Sequence, residues 1–207
     1  ARLLAQRGLD HADYASFWET LDLGYFLRNE PADIAWHTQA LYRESSGVPV
    51  VKARLSTLGD AFEIVVCTPD QPGLFARICH YFDRKNLSIL EARIHTTASA
   101  NALDSFVIVD PDQTTNYGAM LRVVEGELAE LLARPQEVDE LPQAPVARLS
   151  RRSRAFPLPP KVDLRPDERG KRFLLTVTAT DRTGLLYEIA RIMARNGLDV
   201  SGARVTT

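Results

Sequence analysis

The chain has 207 residues, of which 45% are hydrophobic and 25% charged, and its formal net charge is −2. This composition is enough for one or two domains with a real core. The near-neutral charge argues against nucleic acid or an anionic membrane as a partner of the whole chain. No apolar run approaches the ~20 residues of a transmembrane helix. Two cysteines without metal-site spacing, Cys67 and Cys79, favour a reducing, cytoplasmic setting over a disulfide framework.

Residues 1–57 carry aromatic and aliphatic side chains at mostly helical spacing among acidic and polar residues. Pro31, preceded by Asn29 and Glu30, is typical of the first turn of a helix. We predict a short helical segment here, following a domain that this chain does not include.

The remainder contains an internal repeat. Residues 62–96 align with 173–207 at a constant offset of 111, without a gap, and 11 of 35 positions are identical. Each copy predicts a strand, a turn with Asp and Gly, an amphipathic helix and a second strand. Asn86 and Gly197 stand where each helix is expected to end in a left-handed residue.

The first copy continues with a predicted third strand at 102–109, an amphipathic helix at 117–134 and a fourth strand at 161–165. A turn at 98–101 is expected to reverse the chain through Asn101. The order βαββαβ predicts an α+β, ferredoxin-like unit, an antiparallel sheet with both helices on one face. We therefore predict a complete first unit at 58–166 and a second at 167–207. The second stops after its second strand, so we expect the parent chain to continue or its remainder to be disordered or deleted.

Catalytic signatures are not found in the sequence. The four histidines lack the spacing of a helical metal site, and no phosphate-binding glycine loop or nucleophile motif is present. We expect no catalytic residue, cofactor or metal in this chain. The Pro- and Arg-rich stretch 136–160 reads as a solvated linker, with nucleic-acid binding through 148–154 as a remote alternative.

The repeated turn is the candidate functional site. In each copy an Asp, a Gly and a Leu stand between the first strand and the first helix. Free N–H groups at a helix start attract a carboxylate, an acidic side chain holds an ammonium, and Gly allows close approach. Together these suit a free α-amino acid. The alternative is that Asp70 and Asp181 only cap their helices. The candidate residues include the start of each second strand: Asp70, Gln71, Gly73, Leu74, Leu87, Ser88 and Ile89, with Asp181, Arg182, Gly184, Leu185, Leu198, Asp199 and Val200.

The turn, the βαββαβ order and the tandem arrangement resemble the ACT domain family of small-molecule sensors. Three phrases narrow the resemblance to the C-terminal part of bifunctional PII uridylyltransferase/uridylyl-removing enzymes. They are Tyr25-Phe-Leu-Arg28, Thr68-Pro-Asp-Gln-Pro-Gly-Leu-Phe75 and Ala92-Arg-Ile-His-Thr-Thr97, the first followed by 34–38 and the last by 102–106.

The resemblance implies a regulatory region that senses glutamine or another small amino acid, with ACT–ACT pairing within or between chains. It implies a parent enzyme that attaches UMP to the PII protein and removes it, using Mg²⁺ in catalytic domains whose G-S-x-D-x-D and His-Asp signatures this chain lacks. The second copy departs from the pattern at Thr183, which replaces the turn proline. The alternative function is a ligand-free interaction or oligomerisation module.

Overall fold

The computed structural model describes residues 1–44, 47–56, 61–111, 117–143, 158–167, 172–180, 182–200, 202–203 and 205. Seven α-helices, one short 3-10 helix (Val138–Glu140) and six strands are assigned within these ranges. The helices are α1 (Arg2–Ala5), α2 (His11–Glu19), α3 (Leu23–Arg28), α4 (Pro31–Leu41), α5 (Leu74–Arg84), α6 (Tyr117–Ala133) and α7 (Leu185–Arg195). The strands are β1 (Val50–Leu55), β2 (Ala61–Pro69), β3 (Ser88–Arg93), β4 (Asn101–Val109), β5 (Lys161–Pro166) and β6 (Phe173–Thr178). No helix in these ranges is long and apolar enough to cross a bilayer.

The main sheet has the order β1-β2-β4-β3, and all neighbours are antiparallel. The α+β class and the four-stranded antiparallel sheet are therefore confirmed, but the prediction that 161–165 supplies its fourth strand is wrong. That edge is taken by β1, which a connection of only five residues (56–60) joins to β2. A short connection closes at a low entropic cost, so the preceding strand pairs more readily than one almost a hundred residues away.

Strand β5 pairs instead with β6, and this pairing repeats that of β1 with β2. Val50 lies opposite Cys67, and Lys161 lies opposite Thr178, both 111 residues further along the chain. The structural repeat thus begins at 50 and 161, each time with an added N-terminal strand. The predicted domain boundaries at 57 and 166 remain predictions, and this pairing favours placing each boundary before the added strand.

Helices α5 and α6 cover one face of the main sheet. Strand residues such as Phe62 and Phe106 meet helix residues such as Ile78 and Leu128 in a core from which water is excluded. The amphipathic pattern of both helices produces this face. Arg77 is also buried here, and its Nη2 donates to the carbonyl oxygens of Leu131 (2.5 Å) and Arg134 (2.7 Å), which caps the end of α6.

The N-terminal helices cover the opposite face of the same sheet. Val65 and Leu103 point to this side and pack with Leu21, Tyr25 and Leu41. Strand β2 is therefore buried on both faces, which explains its nearly continuous apolar sequence. The predicted helical segment is confirmed over residues 2–41, which form an integral layer of the first unit, but 50–55, which the prediction included in that segment, form strand β1.

Arg54 fastens this helical layer to the sheet. Its Nη2 lies 2.7 Å from Oδ1 of Asp33 on α4, its Nε donates to Oε2 of Glu63 at 2.6 Å, and its guanidinium stacks 4.2 Å from the ring centroid of Trp36. One side chain thus joins two elements through charge and through cation–π contact.

Candidate functional site

The first turn, residues 70–74, lies where β2 ends, beside the loop that precedes β4. The backbone N–H of Asp70 donates to the carbonyl oxygen of Ala100 at 3.0 Å, and its Oδ2 accepts from Thr96 Oγ1 at 3.0 Å. The side chain is exposed and makes no capping bond to α5. The capping alternative is therefore wrong for Asp70, whose carboxylate remains at the surface.

Gly73 is the residue that precedes α5, and its φ of +77° is the left-handed conformation that favours glycine. A methyl group placed there would lie 3.3 Å from Cγ2 of Val138, 3.5 Å from Cδ1 of Leu141 and 3.9 Å from Cβ of Ala194. The space beside Gly73 is thus filled by protein. Sequence reasoning assigned this glycine to ligand approach, whereas the structure shows that it also permits close packing.

The glycine of the second turn has the same backbone conformation as that of the first. Gly184 precedes α7 with a φ of +78°, and Arg182 is paired with Glu188 on the first turn of that helix. Asp181 lies outside the described residues. The left-handed helix ends are confirmed in both copies, because Asn86 has a φ of +55° and Gly197 a φ of +67°.

Helices α5 and α7 pack against each other in antiparallel fashion. Gly73, at the start of α5, faces Ala194 near the end of α7, while the backbone N–H of Gly184 at the start of α7 lies close enough to the carboxylate of Asp83 near the end of α5 to lower its pKa against the effect of burial. Residue numbers in the two contacts differ by 111, so an approximate two-fold axis relates them. The contact surface is formed by buried residues at matching positions of the two copies. Ala76 of the first copy corresponds to Tyr187 of the second, and Cys79 corresponds to Ala190.

The packing of α5 on α7 determines which candidate residues lie close together. Within the first copy, the turn and the start of β3 lie at opposite ends of the sheet, because Pro69 pairs with Asn101 and Ser88 with Val109. Residues 70–74 and 87–89 of the first copy are therefore not brought together within that copy. Across copies, Ala194 near the end of α7 lies beside Gly73, so the chain that leads to 198–200 leaves α7 next to the first turn. Val200 packs against the first unit's core, and Ile89 packs against the cluster of α5 and α7.

The candidate residues differ in what a ligand could touch. Leu74 and Leu87 are buried in the core and support the backbone. The exposed positions on the first-turn side are Asp70, Leu198 and Asp199, and Ser88 is exposed on the other side. Gln71, Arg182, Leu185 and Val200 are partly exposed, and Gly184 is buried. The first turn with 198–200 thus offers two exposed carboxylates, Asp70 and Asp199, next to a helix start.

A second carboxyl group, that of Asp104, lies near Asp70 of the first turn. Asp104 on β4 is buried, accepts from the backbone N–H of His95 at 3.3 Å, and has its pKa raised to about 8 by burial and by the negative charge of Asp70. The carboxyl group of Asp104 stays protonated at neutral pH, because a buried negative charge close to Asp70 would be poorly solvated. Sequence reasoning missed Asp104, although it stands in the quoted 102–106 phrase.

No group of three or more His, Cys, Asp or Glu in the described ranges is placed to hold a metal ion.

Comparisons with known proteins show which proteins this chain is similar to. Residues 1–40 match the family model for the uridylyltransferase GlnD fifth domain. Three curated relatives named bifunctional uridylyltransferase/uridylyl-removing enzyme match most of the chain. That of Ralstonia nicotianae is 48% identical over 99% of this chain, that of Cupriavidus pinatubonensis 50% over 92%, and that of Burkholderia orbicola 46% over 94%. The chain spans 22–24% of these relatives' own length. No solved structure matches significantly.

Proposed function

Because this chain is homologous to the C-terminal part of bifunctional uridylyltransferase/uridylyl-removing enzymes, we propose that it is the amino-acid-sensing regulatory region of such an enzyme, with glutamine as its ligand. The parent would attach UMP to the PII protein and remove it. Mg²⁺ would belong to catalytic domains whose signatures this sequence lacks. The observation that carries the proposal is the packing of the two repeated helices, α5 and α7, each preceded by a glycine in the left-handed conformation.

The first turn places an exposed carboxylate next to the start of a helix. The exposed carboxylate of Asp70 suits the ammonium of an amino acid, and the N–H groups at the start of α5 suit its carboxylate. At the second turn, the equivalent N–H of Gly184 already stabilises the carboxylate of Asp83. At the first turn the matching position on α7 is Ala194, which brings no competing carboxylate. We therefore place the stronger site at the first turn, with 198–200 as its other wall.

Regulation follows if glutamine binds one arrangement of the paired copies better than another. A ligand shifts such an equilibrium only by its differential affinity, which is typically ~1–3 kcal/mol. Glutamine bound between the first turn (70–74) and residues 198–200 would stabilise the packing of α5 on α7 and so bias the domains that precede the helical layer.

The test is a calorimetric titration of glutamine into the 207-residue chain, with Asp70→Ala as the site variant and Asp163→Ala as the control. Asp163 is also an exposed aspartate, on β5, away from both turns. We expect saturable heat with the wild type and the control, and at least tenfold weaker binding with Asp70→Ala. Absence of heat with the wild type contradicts glutamine sensing, and full affinity in Asp70→Ala removes that carboxylate from the site.

A second candidate function is a ligand-free interaction module, in which the paired copies only hold the parent enzyme together. It is favoured by the close contact of Gly73 with Val138 and Leu141, which fill the space beside the turn. Tyr187 reinforces this arrangement by donating to the carbonyl oxygen of Pro142 at 2.5 Å. A panel of amino acids that leaves the melting temperature unchanged would favour this second function over the first.

A further inference from the structure

The loop formed by residues 94–100 contacts the first turn directly. Thr96 donates its hydroxyl hydrogen to Oδ2 of Asp70, and Ala100 accepts from the backbone N–H of the same residue, both at 3.0 Å. Asp70 is therefore held at its backbone and at its side chain by one loop. Any ligand that draws the Asp70 carboxylate toward itself must compete with Thr96 for that oxygen.

The other side of the same loop contacts the N-terminal helices. The backbone N–H of Ala98 donates to the carbonyl oxygen of Thr20, the residue that ends α2, at 2.8 Å. His95 is 5% exposed and lies under α3, with Nη2 of Arg28 at 3.2 Å from its Nδ1 and the Tyr25 ring centroid at 5.2 Å from its own. These contacts are short, and the one between His95 and Tyr25 is buried, so a displacement of the loop is transmitted to α3 instead of being absorbed.

Arg28 connects the second copy to helix α3. Its Nη1 lies 3.5 Å from where a Cβ on Gly202 would stand, and its Nε donates to the carbonyl oxygen of Gly24 within α3. Gly202, just beyond 198–200, therefore lies close to the helix that packs on His95. The first turn reaches α3 through Thr96 and His95, and the chain beyond 198–200 reaches it through Gly202.

We propose that loop 94–100 is the link through which occupancy of the first turn changes the N-terminal helical layer, with Thr96 and Arg28 as its two positioning residues. The inference rests on the proposed amino-acid site. Ligand binding at Asp70 releases or tightens Thr96, and the loop carries the change to α2 and α3 through Ala98 and His95. The helical layer thus responds although no residue of α1–α4 belongs to the candidate site.

The first arm of the test needs no ligand. Backbone amide hydrogen exchange is measured for residues 23–28 in the wild type, in Thr96→Val and in Thr176→Val. Thr176 is an exposed threonine on β6, so it controls for the same chemical change. We expect exchange in 23–28 to be at least threefold faster in Thr96→Val and unchanged in the control. Equal exchange in all three proteins overturns the link, whatever the ligand proves to be.

The second arm uses glutamine and the two tryptophans of the chain, Trp18 and Trp36, which both lie in the helical layer. We expect glutamine to change their emission in the wild type and in Arg43→Gln, an exposed arginine of the same layer. In Arg28→Gln the emission change should fall at least threefold while calorimetry still records binding. Binding without any emission change in the wild type, or with an undiminished change in Arg28→Gln, overturns the inference. Absence of binding heat overturns the proposed function instead, and the first arm still decides the link.

Discussion

The backbone N–H of Gly184, at the start of one repeated helix, lies close enough to the carboxylate of Asp83, near the end of the other, to favour the charged form of that carboxylate. The matching contact at the opposite end of the helix pair is that of Gly73 with Ala194. Two copies of one sequence motif therefore meet through the same surface, as the subunits of a two-fold dimer do. The two contacts differ chemically, because only one end supplies a carboxylate, and this difference makes the two turns inequivalent.

The helix pair should show a measurable coupling between His80 and Tyr187, whose ring centroids are 4.6 Å apart. We expect the free energies of unfolding of His80→Ala, Tyr187→Leu and the double variant to be non-additive by about 0.5–1.5 kcal/mol, because each ring buries part of the other. Chemical denaturation gives all four values. Additivity within 0.3 kcal/mol would mean that α5 and α7 do not pack in this way.

Replacing Arg54 by Met should destabilise the protein by about 1–2 kcal/mol, because Asp33 and Glu63 lose their shared cation and Trp36 loses its stacked guanidinium. Lys52→Met is the matched control on the same strand, since its pair with Glu44 is exposed and 3.6 Å long. The control should cost less than about 0.5 kcal/mol. Equal costs in urea denaturation would show that Arg54 does not fasten the helical layer.

The buried His37 should make the protein sensitive to acid. Burial, together with the positive charges of Arg54 and Arg93, lowers the pKa of His37 to about 3, while Tyr25 Oη lies 2.7 Å from its Nδ1. Below pH ~6.5 the unfolded chain takes up a proton that the folded chain does not, so stability is lost as pH falls toward 3. Relative to His37→Gln, the wild type should lose about 2 kcal/mol between pH 7 and pH 5.

Thermal or urea denaturation across that pH range measures the effect, with His11→Gln, at an exposed position, as the comparison. A wild type that keeps a constant stability difference from His37→Gln over this range would show that His37 is protonated in the folded state as readily as in the unfolded one.

Ala100 adopts a φ of +57°, a conformation in which its Cβ crowds the following carbonyl group. Ala100→Gly should therefore stabilise the protein by about 0.5–1 kcal/mol, since the relieved strain exceeds the added flexibility of the unfolded chain. Ala98→Gly, in the same loop, carries only the entropic cost and should destabilise. A loss of stability in Ala100→Gly would mean that the loop is not strained at this position.

Some of this architecture follows from local sequence signals. The Asp-x-x-Gly-Leu turn, the helical spacing after it and the left-handed residues Asn86 and Gly197 are determined by neighbouring residues, and the structure confirms them. The turn at 98–101 was predicted, but its left-handed residue is Ala100 instead of Asn101, which begins β4. Asn is the better residue for that conformation, and pairing of Asn101 with Pro69 outweighs this local preference.

Long-range pairing was harder to predict. The sequence of the strand at 161–165 is compatible with pairing to 62–68 or to 173–178. Only the identities Val51/Val162 and Arg54/Arg165, at the offset of 111, indicated that it pairs with 173–178. The cross-copy grouping of the site depends on how α5 packs on α7, which no local pattern encodes. The filling of the space beside Gly73 by Val138 and Leu141 likewise depends on a segment more than 60 residues away.

The most direct test of the cross-copy site is a map of backbone amide chemical shifts in the 207-residue chain as glutamine is added. Our account predicts that shifted amides appear together at 70–74 and at 198–200, which are distant in sequence and adjacent across the helix pair. Shifts confined to one of these two segments, or no shifts at saturating glutamine, would contradict it.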